Sequence, residues 1–519
     1  MALERDYDIE STLPKPWEEE RTFNDALTDW MASGPWLAIS IILHVIAYFV
    51  VSAIPWHLLS VQEEKIIQAQ AVQQEEDPLE EEEEEPEEEL EEPEPIEEPV
   101  LKDAEVSDHN ETESEDVYEE AEGDPDFSSD SPFDSDAFND VLGIGGGAGG
   151  KMGGRRGGRR NLRAGRGVDQ ALRDGLEWLK NHQSPDGYWD CDDFMNNNVM
   201  GGSECDGAGH APHDVGVTGM ALLAFLGEGN TTSEGDYKEV VAKGIGWLRE
   251  IQDPDTGLFG EMSSHEFLYN HAIASLAVCE AYYASKSPLL KRTAQRSIYY
   301  IQRARNPYGA WRYDVPPIGD NDTSVTGWMV FALAAAVDAE LDVDMGAFDG
   351  ALSWVEEVTD TSSGRVGYDS FASQSSRTVA NEHFPREKGE AMTAVGMLCR
   401  IFIANVKGEE IENNDLLERH ADLMLRTPPE WDPEGFGCDM YYWYYGSYAM
   451  FQMGGRHWES WKSSMERAVV GSQRKDGDFK GSWDPVGPWG YSGGRVYATA
   501  LQTLCLEVYF RYGRVLGAR

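Results

Sequence analysis

Residues 171–189, ALRDGLEWLKNHQSPDGYW, are the first copy of the pattern that decides the fold. The pattern joins an amphipathic helix to a turn that contains glycine and ends in an aromatic residue. A second copy reads KGIGWLREIQDPDTGLF at residues 243–259. Four further, less regular copies end at Trp311, Tyr368, Gly437 and Phe479. Recurrence on this scale is typical of folds built from stacked supersecondary units, so residues 168–519 are predicted to form one repeat domain.

Each copy is followed by a second helical segment that is much more apolar. These segments lie at 215–227, 270–284, 324–337, 390–404, 440–453 and 495–510. A helix that is apolar on all sides is buried on all sides. Amphipathic outer helices paired six times with buried inner helices predict an all-α fold that closes into a double-walled α/α barrel. An open solenoid would need a distinct polar cap at each end, and the last inner segment is still fully apolar.

The N-terminal third has a different composition. The chain carries 95 acidic and 42 basic side chains, a formal charge of −53, which excludes a nucleic-acid binder that acts by neutralising phosphates. Residues 61–140 hold 35 of the acidic side chains against Lys65 and Lys102. Such a segment cannot bury enough apolar surface to fold. Residues 57–140 are therefore predicted to be a disordered, extended acidic stalk.

Residues 141–167 form a linker of the opposite charge, in which seven basic side chains alternate with glycines. Its arginines could bind anionic lipids, nucleic acid or acidic protein segments. Because the acidic stalk is covalently close, we expect contacts with the stalk or with the acidic face of a partner rather than with nucleic acid.

Residues 36–54, WLAISIILHVIAYFVVSAI, contain no charged side chain and are long enough to cross the hydrocarbon core as a helix. Residues 36–56 are therefore predicted to be a single transmembrane helix, preceded by the segment 1–35. Ser40 and His44 are four residues apart, so they share one face of this helix. An ionisable side chain inside a membrane points to a function, although a hydrogen bond to a neighbouring helix is the simpler interpretation.

The SxxxH spacing, followed by a Pro/Glu-rich stalk, resembles the TonB-family energy transducers over about residues 36–100. The resemblance implies a partner complex of the ExbB–ExbD kind that engages Ser40 and His44. It also implies an inner-membrane protein with a cytoplasmic segment 1–35 and a periplasmic C-terminal domain. The chain departs from that family because TonB stalks contain many Lys–Pro pairs and end in a small receptor-binding domain.

The QxxDGxW-type turns after residue 168 resemble the repeats of the squalene–hopene cyclase and protein prenyltransferase β-subunit superfamily. The resemblance implies an α6/α6 toroid. The cyclases protonate an alkene with the central Asp of a DxDD motif that precedes Thr-Ala. The corresponding residues here are Asp320, Asn321, Asp322, Thr323 and Ser324, so either Asn321 takes the central position or Asp322 does and Thr323 replaces the last Asp. Alternatively, Asp322, Thr323 and Ser324 cap the inner helix.

Metal ligands give a weaker signal. The prenyltransferases bind zinc through an Asp-x-Cys pair and a distant His, whereas Cys438 and Asp439 are adjacent and reversed. The richest alternative is Cys205, His210 and His213 in the first long connection. A disulfide or ordinary loop polarity explains these residues better than a metal site does, and the sequence assigns no cofactor.

The inner helices are expected to run parallel, so their N-termini meet with partial positive charge at one mouth of the barrel. Tyr441 is expected at this mouth, and the side chains expected to line a cavity there are Asp214, His271, Asp322, Glu390, Tyr442 and Tyr497. Aromatic walls with a few polar groups are typical of a small-molecule site. We therefore expect a toroid that binds an isoprenoid, another lipid or a protein segment without the cyclase reaction.

Two alternatives to this expectation remain. The first is a terpene cyclase-like or prenyltransferase-like enzyme that uses Asp320 and Asp322 or a metal. The second is a purely structural toroid, in which the same residues cap helices around a filled core.

Overall fold

The computed structural model describes residues 44–45, 167–199, 205–307, 309–409, 414–432, 434–509 and 511. The chain divides into two compact units, Met1–Ala121 and Glu122–Arg519. Of the predicted N-terminal segment, membrane helix, stalk and linker, the structure describes only His44, Val45 and Gly167, and the remainder lies outside the described residues. Within the ranges given above, no helix is long and apolar enough to cross a membrane.

The described part of the second unit contains twelve α-helices in two walls. The outer helices are α1 (Val168–Asn181), α3 (Lys238–Glu250), α5 (Pro288–Arg303), α7 (Gly346–Glu357), α9 (Asn414–Met424) and α11 (Gly455–Ser472). The inner helices are α2 (Asp214–Gly227), α4 (Phe267–Ser285), α6 (Thr323–Asp338), α8 (Ala391–Lys407), α10 (Met440–Met453) and α12 (Gly490–Leu506). Between α7 and α8, strands β1 (Thr359–Asp360) and β2 (Arg365–Val366) form a short antiparallel hairpin. This order confirms the predicted all-α repeat of hairpins.

The inner helices form a closed ring. Each inner helix contacts the next one in chain order, and α12 contacts α2. The outer wall closes as well, because Gln473 at the end of α11 donates a hydrogen bond of 2.7 Å to the carbonyl of Ala171 in α1. Arg511, which lies beyond the end of α12 and is fully buried, forms an ion pair of 2.8 Å with Glu280 of α4. The domain is therefore a double-walled α/α toroid and not an open solenoid.

The contrast between apolar and amphipathic helices determines which wall each helix occupies. All residues of α10 from Met440 to Gln452 are buried. In α1 the buried positions recur every three or four residues, from Ala171 and Leu172 to Leu176 and Leu179. Such spacing places one face of α1 on the core and the other in solvent.

The glutamine of the turn motif joins neighbouring hairpins. Gln183 Nε2 donates to the carbonyl of Gly187 in its own turn at 2.7 Å and to that of Val240 in α3 at 3.0 Å. Gln252 and Gln473 repeat this arrangement, each with one bond to its own turn and one to the next outer helix. Each glutamine satisfies two backbone carbonyls that the packing would otherwise leave buried and unpaired.

The aromatic residue of each turn packs between the walls. Trp189 donates its indole N–H to the carbonyl of Leu179 at 2.7 Å, and its backbone N–H to Thr218 Oγ1 of α2 at 2.9 Å. In the sixth hairpin Trp483 makes the equivalent bonds to Val469 and Thr499. The sixth copy therefore ends at Trp483 and not at Phe479 as the sequence suggested, because its turn is four residues longer.

Outer helices end, and inner helices begin, at one end of the ring. The six longer connections meet at this end, which we call the mouth. Since the helix N-termini converge there, the mouth also carries the candidate functional residues.

Candidate functional site

Asp322 occupies the N-cap of α6. Its Oδ1 accepts a hydrogen bond of 2.7 Å from the backbone N–H of Val325, which confirms the predicted capping role. Its own backbone N–H donates to the carbonyl of Trp311, the turn aromatic of the third hairpin, at 2.9 Å. The residue is fully buried, and among the described residues its Oδ2 atom has no hydrogen-bond partner. Capping therefore engages only one of the two carboxyl oxygens.

The surroundings of Asp322 favour the protonated carboxyl. Burial raises its pKa to about 7, even though the Val325 N–H and the charge of Arg312 favour the ionised form. Arg312 makes its ion pairs with Asp320 and Asp369, and no described residue forms an ion pair with Asp322. Near neutral pH this carboxyl can both hold and release a proton.

Four tyrosines from different elements surround Asp322, and we call them the tyrosine cluster: Tyr269, Tyr313, Tyr368 and Tyr441. The negative charge of Asp322 contributes to a raised pKa of each phenol, after burial, which is the main cause. The hydroxyls of Tyr313 and Tyr368 are 2.6 Å apart, and the rings of Tyr269 and Tyr313 lie 5.9 Å apart between centroids. The cluster is therefore a set of neutral phenols around one acid.

Aromatic side chains also extend across the ring beside Asp322. The hydroxyl of Ser324 in α6 lies 2.7 Å from that of Tyr441 in α10, although α8 separates these helices in the ring. Further along the same helices, Trp328 stacks on Tyr444 with ring centroids 5.7 Å apart. Side chains of α6 and α10 therefore meet across this sector of the interior.

Of the two acids in the enzyme alternative, only Asp322 is buried. The Asp320 side chain is 64% exposed and lies 3.7 Å from Arg312. Between them in the chain, Asn321 Oδ1 accepts a hydrogen bond of 2.9 Å from the backbone N–H of Ala310. The Asn321 side chain thus stabilises the turn that precedes Trp311. Of the two residues that the sequence offered for the central position of the motif, the structure buries Asp322 and engages the Asn321 side chain in the turn.

Asp439 provides a comparison, because it caps α10 in the same way. Its Oδ1 accepts the backbone N–H of Tyr442 at 3.0 Å. Its Oδ2 lies 3.5 Å from the guanidinium of Arg377, and the two side chains are only 6% and 2% exposed. Burial raises the pKa of Asp439, and Arg377 opposes this effect. Asp439 thus has a charged partner, whereas Asp322 has none among the residues that the structure describes.

The other predicted cavity residues have separate positions. His271 lies between the walls, where Nδ1 accepts the backbone N–H of Phe259 at 3.1 Å and Nε2 contacts the carbonyl of Ser297 at 3.1 Å. Burial lowers its pKa to about 4, so the ring is neutral. Tyr442 also faces the outer wall, and its hydroxyl donates to the carbonyl of Met424 at 3.0 Å.

Glu390 and Tyr497 differ in their surroundings. Glu390 forms a 2.5 Å ion pair with Arg365 of β2. Tyr497 is buried on α12, and its pKa is raised by burial first and then by the neighbouring Asp439 carboxyl and Tyr441 phenol. The structure thus places Tyr497 near the tyrosine cluster, whereas Glu390 holds the β-hairpin.

Asp214 belongs to a different group at the mouth. Its Oδ1 accepts the backbone N–H of Cys191 at 2.8 Å, and burial raises its pKa to about 7. Carboxylate oxygens of Asp190, Asp192 and Asp214 lie within 4.8 Å of one another, the one such group of possible metal ligands among the described residues.

The structure does not gather the predicted metal ligands. The Cys205 thiol donates to the carbonyl of Asp478 at 3.1 Å. The ring of His210 lies against Tyr491, 5.4 Å away, and is 6.2 Å from that of His213. For the predicted membrane helix, Ser40 lies outside the described residues, and His44 is helical and exposed.

Sequence reasoning missed three members of the tyrosine cluster and Arg377. A signal existed for Tyr368, which ends the fourth copy of the repeat, and for Tyr313, which follows the aromatic of the third copy by two residues. Arg377 lies in a long connection without a pattern, so only the folded chain shows its pairing with Asp439.

No family model and no curated protein matches this chain. Among solved structures, it is similar to the GH76A α-1,6-mannanase of Salegentibacter sp. HEL1_6, at 11% identity over 66% of this chain and 98% of that chain, with a TM-score of 0.43. It is also similar to the type II terpene cyclase MstE from Scytonema, at 11% identity over 66% of this chain and 97% of that chain, with a TM-score of 0.40. A third similar structure is an α-amylase from Clostridium perfringens, at 13% identity over 67% of this chain and 100% of that chain, with a TM-score of 0.42. At these scores the similarities do not distinguish between activities, and the assignment of the toroid rests on the helix contacts described above.

Proposed function

We propose that the toroid is an enzyme in which Asp322 acts as a general acid on an apolar, isoprenoid-type substrate, in a terpene cyclase-like reaction. One observation supports this proposal above all others. A fully buried carboxyl at the mouth has a free oxygen and, among the described residues, no ion pair. A carboxyl with a pKa of about 7 is matched to general acid catalysis near neutral pH.

The proposed step is balanced within the substrate and Asp322. The carboxyl gives its proton to one carbon of a double bond, whose electron pair forms the new C–H bond. The electron pair of another double bond of the substrate then forms a C–C bond to the cationic carbon. The resulting cation finally loses a proton, which returns through water to the Asp322 carboxylate and restores the acid. The faces of the tyrosine cluster would stabilise the cationic intermediates, and the neutral phenols add no competing negative charge.

The expectation of a binding protein without catalysis is less well supported. That expectation rested on the broken DxDD motif. The buried position of Asp322 and the use of Asn321 in the turn support an acid at residue 322 even without the complete motif.

The test is a product screen with the full-length protein. Purified protein is incubated with squalene and with polyprenyl diphosphates, and products are identified by gas chromatography and mass spectrometry. Asn retains the N-cap, so Asp322→Asn removes the proton donor and leaves the helix start intact. We expect turnover to fall at least about 100-fold in Asp322→Asn and to stay within about threefold of wild type in the exposed control Asp320→Asn.

Two outcomes would contradict the proposal. Equal turnover by wild type and Asp322→Asn would remove Asp322 from the reaction. Binding of a polyprenyl compound without conversion by the wild-type protein would support the binding-protein interpretation instead.

We further propose that the toroid is tethered to the inner membrane of a diderm bacterium by residues 36–56 and faces the periplasm. The uncharged run and the SxxxH spacing of Ser40 and His44 support this proposal, which includes a partner complex of the ExbB–ExbD kind. If His44→Ala co-purifies with such a complex as well as wild type does, the coupling is wrong.

A further inference from the structure

Residues 369–388, between the β-hairpin and α8, form a segment that we call the strap. Its near end is attached to the start of α6. The backbone N–H of Thr323 donates to the carbonyl of Tyr368 at 2.8 Å, and the Thr323 hydroxyl donates to the carbonyl of Gly367 at 2.6 Å. The strap therefore begins directly beside Asp322.

The far end of the strap is attached to the start of α12. The hydroxyls of Thr378 and Tyr491 are 2.9 Å apart. Asn381 Nδ2 donates to the carbonyl of Pro488, just before α12, at 2.8 Å. In the ring order α2, α4, α6, α8, α10, α12, helices α6 and α12 are opposite each other. The strap thus spans the full diameter of the mouth.

Between its ends the strap contacts the fifth hairpin. Arg377 lies 3.5 Å from Asp439 at the N-cap of α10. The rings of Phe384 and Phe436 have centroids 5.8 Å apart. The chain then turns back through the short 3₁₀ helix Arg386–Lys388 to its own inner helix, α8. The strap therefore covers the α6, α10 and α12 side of the mouth.

The strap covers a buried interior with few buried groups of its own. Asp322 is fully buried, and Tyr441 and Tyr497 are 9% and 8% exposed. In the strap, by contrast, Asn381 and the side chain of Arg377 are buried, Phe371 is 65% exposed, and most of the remaining described residues are partly or fully exposed. A hydrogen bond contributes only about 0.5–1.5 kcal/mol net, and segments with little buried apolar surface open at low free energy.

We propose that the strap is a gate, which releases α12 and α10 to admit a ligand to Asp322 and closes over it afterwards. The anchors to release are the Thr378–Tyr491 and Asn381–Pro488 bonds and the Arg377–Asp439 pair. This inference rests on the proposed function only for the identity of the ligand that passes through the gate. The opening itself is measurable without any substrate, so its failure and that of the proposed function are distinguishable.

The test measures the accessibility of the residue beside Asp322. Ser324 is 7% exposed, so a thiol placed there by Ser324→Cys reacts with iodoacetamide mainly when the strap opens. Tyr491→Phe removes one anchor from the far end, and Arg377→Gln removes the ion pair. In the Ser324→Cys background we expect Tyr491→Phe to accelerate labelling of the new thiol about fivefold, the factor for about 1 kcal/mol. We expect Arg377→Gln to accelerate it more, because this change leaves the buried Asp439 carboxyl without its charged partner.

The chain provides two controls. Tyr299→Phe removes a hydroxyl that donates to Asp342 at 3.0 Å, on an outer helix that makes none of the strap's anchoring contacts. The native thiols of Cys279 and Cys399, buried in α4 and α8, report global opening. We expect Tyr299→Phe to leave labelling at residue 324 unchanged, and Tyr491→Phe to leave labelling of both native thiols unchanged.

The gate is wrong if Tyr491→Phe and Arg377→Gln leave labelling at residue 324 at its original rate. It is also wrong if all the thiols accelerate together, because that result indicates global unfolding. Should Ser324→Cys fail to fold, amide hydrogen exchange of the Tyr491→Phe protein provides the second measurement. Faster exchange confined to residues 369–388 supports the gate, and unchanged exchange overturns it.

Discussion

Replacing Asp322 with Asn should make the stability of the protein less dependent on pH. In the folded chain burial raises the pKa of Asp322 from 3.8 to about 7. Between these two values the unfolded chain has already lost a proton that the folded chain still holds. Folding stability therefore decreases as the pH rises through this window and levels off above about pH 7. Asn has no proton to lose, so the variant lacks this contribution.

The size of the effect follows from the pKa. Each tenfold change in proton affinity corresponds to about 1.4 kcal/mol, so the full window is worth about 4 kcal/mol. Between pH 4.5 and 7.5 the free energy of unfolding of wild type should fall by about 3 kcal/mol relative to that of Asp322→Asn. The Asn side chain still accepts the Val325 N–H, so little of the difference comes from loss of the cap.

Urea denaturation of both full-length proteins at several pH values measures this difference. The charge of the acidic stalk affects both proteins equally and cancels in the comparison. Asp320→Asn is the control, because this side chain is two residues away but 64% exposed, and its curve should run parallel to that of wild type. Parallel curves for wild type and Asp322→Asn would refute the argument, since they would show that Asp322 loses its proton at the same pH in the folded chain as in the unfolded chain.

Two further predictions concern the toroid itself, each measured as a change in the free energy of unfolding. Gly481→Ala should cost about 3 kcal/mol or more, because Gly481 has φ +97° and an added Cβ would collide with the carbonyl of Asp174. Gly477→Ala, with open space around the added Cβ, should cost only about 1 kcal/mol. Equal costs for the two variants would place the sixth turn at Gly477. Arg511→Leu should cost about 3–5 kcal/mol, because it removes the charge that pairs with Glu280 and Glu507 inside the ring, and a loss below about 1 kcal/mol would contradict a closure that depends on this residue.

Much of the candidate site depended on which way a buried helix faces. The sequence singled out Asp322 correctly as a buried helix cap, because an Asp before an apolar run is a local signal. The sequence did not show that His271 and Tyr442 face the outer wall, whereas Tyr497 lies near the tyrosine cluster. In a helix that is apolar all round, the 3.6-residue period does not distinguish the lumen from the second wall.

The sequence by itself determined the alternation of walls, because local periodicity and mean hydropathy decide whether a helix buries one face or all of them. It also determined the turns, in which Gln183 and Trp189 satisfy buried backbone groups close by in the chain. Only the tertiary structure decided the closure by Arg511, the burial of Asp322 and the course of the strap. These features join residues far apart in the chain, and the burial that shifts the pKa of Asp322 exists only once all the hairpins have packed around it.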